Sequence, residues 1–291
     1  MIIDTRTDAI KSWLSDLYKT DDFILESASS DASFRRYYRV TLDNKTMIVM
    51  DAPPKYEDVA PFIKIAQFFA KNGLHVPEII GEERTKGFLL LTDLGSQPYL
   101  ERLNGKSADV LYRSAIDALI KIQLCDQQSI KLSEYNGTLL QQELNLFSEW
   151  FLYKHLSLSV PDTVQNQFDV LINNALEQPQ VIVHRDYHSR NLMYSDTHNP
   201  GIIDFQDAVI GPISYDLVSM LRDSYIAWPE DKIEVWVAHY FKLANDQKLL
   251  SNCSLERFTR WFDLMGLQRH IKVLGIFCRL NYRDKKSNYM H

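Results

Sequence analysis

The chain has 291 residues, 45% of them hydrophobic and 24% charged, which is enough for one large domain or two packed lobes. Its net charge of −6 lacks the basic excess of a nucleic-acid binder, although a locally basic site for an anionic substrate is compatible with it. Three scattered cysteines, Cys125, Cys253 and Cys278, suggest neither a disulfide framework nor a zinc site. Ten glycines and ten prolines leave no long linker or low-complexity tract. No apolar run reaches the roughly 18 residues of a membrane span, and no charged segment followed by an apolar run marks a secretory leader. A cytoplasmic location is the expectation.

In chain order, residues 5–19 predict an amphipathic helix, with Ile10, Trp13, Leu14 and Leu17 at helical spacing. Residues 32–40 and 47–50 are β-like, and Leu42-Asp43-Asn44-Lys45 between them is a turn signal, so a hairpin is expected. Residues 57–72 predict a helix with Phe62, Ile63, Ile65, Ala66 and Phe69 on its apolar face and Gly73 as its terminator. Strands are expected at 76–80 and 87–92. After a short connection near Asp93-Leu94-Gly95 the pattern turns helical, over 107–125, 137–157, 161–177, 214–226, 230–245 and 255–282. Two β-like pieces, 181–183 and 201–203, interrupt it.

The chemistry concentrates around those two pieces. His184-Arg185-Asp186-Tyr187-His188-Ser189-Arg190-Asn191 fits HRDxxxxN, and Asp204-Phe205-Gln206 follows the second strand. Phosphoryl transfer asks for a base near the acceptor hydroxyl and for oxygen ligands that hold Mg²⁺ against the phosphates. Asp186 suits the first task, and Asn191 and Asp204 offer hard oxygen donors for the second. Each residue alone is an ordinary turn former; the set at fixed offsets, between short apolar strands, points to a kinase-like site.

Residues 184–193, Ile203-Asp204-Phe205-Gln206-Asp207-Ala208 and Gly211-Pro212-Ile213-Ser214-Tyr215-Asp216-Leu217 resemble the aminoglycoside phosphotransferase family. Segments 30–39, 48–54, 73–79 and 88–95 are similar to a branch of it that phosphorylates N-acetylmuramate and N-acetylglucosamine at the anomeric hydroxyl in cell-wall recycling. The resemblance implies an α+β, protein-kinase-like fold with two lobes. Residues 1–94 would be a small antiparallel-sheet N-lobe and 95–291 a larger, mainly helical C-lobe. It implies ATP and Mg²⁺ as cofactors and a small-molecule acceptor, with no nucleic acid or membrane as partner. By position, Asp186 is the catalytic base and Asn191 and Asp204 are the metal ligands. Ser33, Phe34 and Arg35 lie in the phosphate-covering hairpin, Asp93 and Leu94 at the adenine hinge, and Asp216 anchors the catalytic loop.

The sequence departs from protein kinases in two places. The strand Ile48-Val49-Met50-Asp51 has no Lys, and the hairpin has no GxGxxG. Arg35 and Arg36 are the candidate replacements for the phosphate-binding cation, the alternative being a solvated strand face. His188, Arg190 and Asp207 are candidates to meet the acceptor, or to hold the loop together. Glu149 and Trp150, with Tyr153, offer a sugar platform or else belong to a helix core. The basic segment 279–286 either reaches an acceptor anion or is a solvated helix end. Other acceptors (an aminoglycoside, a choline-like or homoserine-like alcohol) and a nucleotide-binding pseudokinase stay open on these residues.

Overall fold

The computed structural model describes residues 5–30 and 34–290. Its Cα positions group into two units, one of residues 1–96 with 201–206 and one of 97–200 with 207–291.

The first unit is built on an antiparallel five-stranded sheet in the order β1-β2-β3-β5-β4. Its strands are β1 (Ile24–Ser30), β2 (Arg36–Leu42), β3 (Lys45–Asp51), β4 (Ile79–Glu83) and β5 (Phe88–Thr92). The expected hairpin is β2–β3, closed by Asp43 and Asn44 at φ of +50° and +61°. Left-handed backbone at both central residues gives a turn twist that matches the strands, and Asp and Asn tolerate it. β1 was not foreseen, because Ile24-Leu25-Glu26-Ser27-Ala28-Ser29-Ser30 has little alternation and forms a mostly exposed edge. The strand expected from residue 76 starts at Ile79, since Pro77 has no N–H to give to a ladder.

Helix α1 (Thr5–Tyr18) lays Ile10 and Leu14 on a core with Val40, Val49, Phe88 and Leu90. Leu17, the last member of its apolar stripe, is 45% exposed. Helix α2 (Ala60–Lys71) begins three residues later than expected, with Pro61 in its first turn and Asp58 accepting from the Ala60 N–H at 2.9 Å. It ends where Gly73 turns to φ +74°.

The second unit is mainly helical. It contains α3 (Tyr99–Arg102), α4 (Ala108–Leu124), α5 (Gly137–Leu146), α6 (Asp162–Leu176), α7 (Tyr215–Leu221), α8 (Glu230–Asp246) and α9 (Leu255–Tyr282). A small sheet joins β6 (Ser133–Glu134) in parallel and β7 (Gln180–Val183) antiparallel to β10 (Val209–Pro212). Short strands β8 (Leu192–Met193) and β9 (Gly201–Ile202) flank the segment between the two motifs. The helix expected over 137–157 changes register: α5 passes into a π-helix at Phe147–His155. The 28-residue α9 packs along α5, this π-segment, α6 and α7. Around α5 and α6 the core is Leu144, Phe168 and Leu171. Helix α7 stops at Leu221, five residues short of expectation, and the chain beyond it is used by the catalytic loop. Among the described residues no helix is long and apolar enough to cross a membrane.

Candidate active site

In the second unit, β7 delivers residues 184–191 and two carboxylates from the ends of α7 hold them. Asp216, fully buried, accepts the backbone N–H groups of His184 at 2.6 Å and Arg185 at 3.0 Å. Asp223, just past the helix, accepts the N–H of Ser189 at 3.0 Å and also its hydroxyl. Between these clamps, Asn191 Nδ2 donates to the Asp186 carbonyl at 3.0 Å, and Tyr187 is buried with its hydroxyl on the Ala115 carbonyl. Arg185 takes φ +78°, a left-handed conformation costing about 1–3 kcal/mol. Asp216 stabilises it at the backbone and Glu143 at the side chain, where Arg185 Nη2 donates at 2.6 Å.

The charges around Asp186 come mostly from α9. Burial works against its negative charge, but Lys272, Arg269, His188 and His184 outweigh burial and hold the carboxyl below its ordinary value. Asp186 is therefore ionised at neutral pH, the state a general base requires. Burial pushes Asp216 up to about 6, against the pull of His184 and of the bound backbone N–H groups. The His188 imidazole is pushed down to about 4, by burial and Arg269, so it is neutral at pH 7. Lys272 is buried and protonated, bonded to Glu143 at 2.9 Å and to the Tyr215 hydroxyl at 3.0 Å. Glu143 thus carries Lys272, Arg185 and the Tyr135 hydroxyl together; their charges overcome its burial and keep its carboxyl low.

In the first unit, β9 leads to Asp204, which sits at φ +64°. The neighbouring Phe205 is fully buried against α2, 4.9 Å from the Phe62 ring and 5.8 Å from Phe69, and the Ile202 N–H donates to the His75 carbonyl. Gln206 Nε2 donates to Asp204 Oδ1 at 2.8 Å. Arg35 is largely buried, with one guanidinium nitrogen on Glu57 at 2.9 Å and another 4.0 Å from Asp204 Oδ1. Arg36 is placed differently. Its guanidinium grips buried Asp51 at 3.0 and 2.7 Å, beside Arg6 on the same carboxylate. Of the two arginines, Arg35 is the one brought to Asp204.

The remaining sequence candidates divide. The Asp93 carboxylate is engaged by Arg39 at 2.7 Å and by the Gly95 N–H at 2.9 Å, so the chain beside half-buried Leu94 is braced by a salt bridge. Phe34 is exposed and stacks on Tyr56 at 4.4 Å. Ser33 lies outside the described residues. His188 and Arg190 both meet the Tyr225 ring, at 5.5 and 4.7 Å. Asp207 is exposed, as is Glu149; Trp150 is half-buried beside Glu149 on the π-segment. Lys272 and Arg269, whose charges act on Asp186 together with His188 and His184, are residues that sequence reasoning missed, along with Glu143 and Asp223. A signal existed: Gln268, Arg269 and Lys272 are polar residues in the apolar register of Trp261, Phe262 and Met265.

Asn191 and Asp204 each carry a hard oxygen donor of the kind Mg²⁺ takes. The Asn191 amide nitrogen is committed to the Asp186 carbonyl. Among the described residues no cluster of three His, Cys, Asp or Glu side chains exists.

The model of the phosphotransferase enzyme family matches residues 24–249. An N-acetylmuramate/N-acetylglucosamine kinase of Pseudomonas aeruginosa is 45% identical over 90% of this chain and 78% of its own. The kinase of the same name from Neisseria meningitidis is 39% identical over 96% and 85%. Among solved structures, an ADP-bound aminoglycoside phosphotransferase APH(2'')-Ib is similar at a TM-score of 0.65, with 14% identity over 99% of this chain and 94% of that one. A Plasmodium vivax ethanolamine kinase is similar at 0.70, with 11% identity over 97% and 84%. These two likenesses show the α+β, protein-kinase-like fold that the motifs led one to expect. With its catalytic loop clamped at both ends, its family model covering most of its length and relatives this similar, the chain belongs to the phosphotransferase enzyme family.

Proposed function

We propose that this chain is an ATP-dependent amino-sugar kinase. It moves the γ-phosphoryl group to a hydroxyl of N-acetylmuramate or N-acetylglucosamine, the anomeric one, in the cytoplasm and in the service of peptidoglycan recycling. The observation that carries the reading is an ionised Asp186 held in a loop clamped by Asp216 and Asp223, in a chain 39–45% identical to kinases of that name.

The roles follow from the chemistry of each group. Asp186 orients the acceptor hydroxyl and takes its proton as the phosphoryl group departs. Asn191 and Asp204 would hold Mg²⁺, which supplies neutralisation of phosphate charge. Arg35, steadied by Glu57, replaces the missing strand lysine as a cation for phosphate, so the absent Lys does not favour a pseudokinase. The hairpin of Ser33 and Phe34 covers the nucleotide, and the backbone of Asp93 and Leu94 meets the adenine. Residues 1–94 serve as the nucleotide lobe and 95–291 as the acceptor lobe, with His188, Arg190, Asp207, Glu149 and Trp150 on the acceptor side.

A coupled ADP-release assay with Mg·ATP tests the proposal. Turnover is expected with N-acetylmuramate and N-acetylglucosamine, and not with an aminoglycoside. Asp186→Asn and Asp204→Ala should each lower kcat by about 10²–10⁴-fold while folding is kept. Full activity of Asp204→Ala, or turnover of the aminoglycoside alone, would overturn it.

A further inference from the structure

Arg269 lies on the face of α9 that packs on α7, and its side chain has an unmet need. It is 5% exposed, with its guanidinium over the Tyr215 ring at 5.7 Å. Its charge is felt by Asp186, His188 and Asp216. Lys272, one turn further on, is also buried but is satisfied by Glu143 and the Tyr215 hydroxyl. Arg269 has no such ion pair among the described residues, and its Nε, shut off from solvent, has no hydrogen-bond partner. The Nδ1 of His188 is in the same condition.

Buried polar groups are nearly always partnered, and a charged donor left unmet is costly. Two such nitrogens, in two groups that both act on the charge of Asp186, therefore mark a place for a ligand. A guanidinium selects a carboxylate by its planar fork of donors, and an imidazole adds a further polar nitrogen. Asp223 is already engaged in the clamp on Ser189, and among the described residues neither it nor Asp186 forms an ion pair with Arg269 as Glu143 does with Lys272.

We infer that Arg269, with His188 beside it, forms an acceptor subsite that binds a carboxylate carried by the sugar and so favours acidic over neutral amino sugars. The inference rests on the amino-sugar reading and adds to it a residue that separates two acceptors. N-acetylmuramate carries a lactyl ether carboxylate; N-acetylglucosamine has a free hydroxyl there.

The test is steady-state kinetics of the full chain, wild type, Arg269→Gln and Arg269→Lys, with both sugars and with the methyl ester of N-acetylmuramate. For Arg269→Gln the ratio of kcat/KM for N-acetylmuramate to that for N-acetylglucosamine should fall by about tenfold or more, through the KM of the acidic sugar. Arg269→Lys should recover part of that ratio. On the wild type, the methyl ester should lose affinity relative to the free acid by a comparable factor, which keeps the inference testable even if Arg269→Gln folds poorly. An unmoved ratio, with both acceptors losing kcat equally, would mean that Arg269 serves Asp186 and not the substrate, and would overturn the inference. So would a methyl ester that is used as well as the acid. A wild type that uses neither sugar would instead remove the amino-sugar reading, and this subsite with it.

Discussion

Gly275→Ala adds a methyl group at the point where α9 crosses the junction of α5 and the π-segment. A Cβ built there stands 2.6 Å from the Leu146 carbonyl oxygen and 2.6 Å from the Phe147 nitrogen. Both are backbone atoms and cannot rotate away, so the helices must separate by roughly 1 Å to restore ordinary contact. Overpacking of this kind costs up to about 3 kcal/mol. Against it stands the better helix propensity of Ala, worth about 1 kcal/mol in a helix interior. The net expectation is a loss of about 2 kcal/mol. For a domain of this size each kcal/mol moves Tm by roughly 2–4 °C, so a fall of about 4–8 °C is expected in a thermal melt followed by circular dichroism. Gly105, whose added Cβ would meet nothing within 4 Å, supplies the control, and Gly105→Ala should stay within about 0.5 kcal/mol of wild type. A Gly275→Ala protein that melts at or above the wild-type temperature would show that propensity wins, and that α9 is not seated on the α5 backbone as described.

Two further substitutions test the charge networks. Glu143→Gln leaves Lys272 and Arg185 buried without their carboxylate and should cost about 3 kcal/mol at neutral pH, read from urea midpoints. Because the folded carboxyl is held low, its stabilisation is complete above the unfolded value near ~4.3 and is lost as pH falls through the depressed folded value. The gap between wild type and Glu143→Gln should therefore narrow in acid; a gap constant from pH 7 to pH 3 would contradict the assignment. Arg35→Ala should raise the KM for ATP by roughly tenfold or more, as loss of a charge-assisted phosphate contact does. Arg36→Ala should chiefly lower Tm by weakening the clamp on buried Asp51. A larger ATP effect at Arg36 than at Arg35 would reverse the roles.

The local code of this chain is strong where the physics is local. The period of α1, α2, α4 and α6, the Asp43-Asn44 turn and the Gly73 stop all follow from side-chain spacing and from which residues tolerate left-handed backbone. The catalytic loop was legible for another reason. Two carboxylates and an amide oxygen at fixed offsets form a pattern that chance seldom supplies, so Asp186, Asn191 and Asp204 stand out as candidates from sequence. Tertiary structure decided what those residues feel. Arg35 and Arg36 are adjacent and chemically alike, yet at the entry to β2 one reaches Glu57 and Asp204 and the other Asp51. The early end of α7 frees Asp223 to hold Ser189, 34 residues away in sequence. Arg269 and Lys272, some eighty residues past Asp186, set its charge state only because α9 folds back along the loop. Spacing within one element records helix faces and motifs; partnership between distant charges depends on how those elements pack.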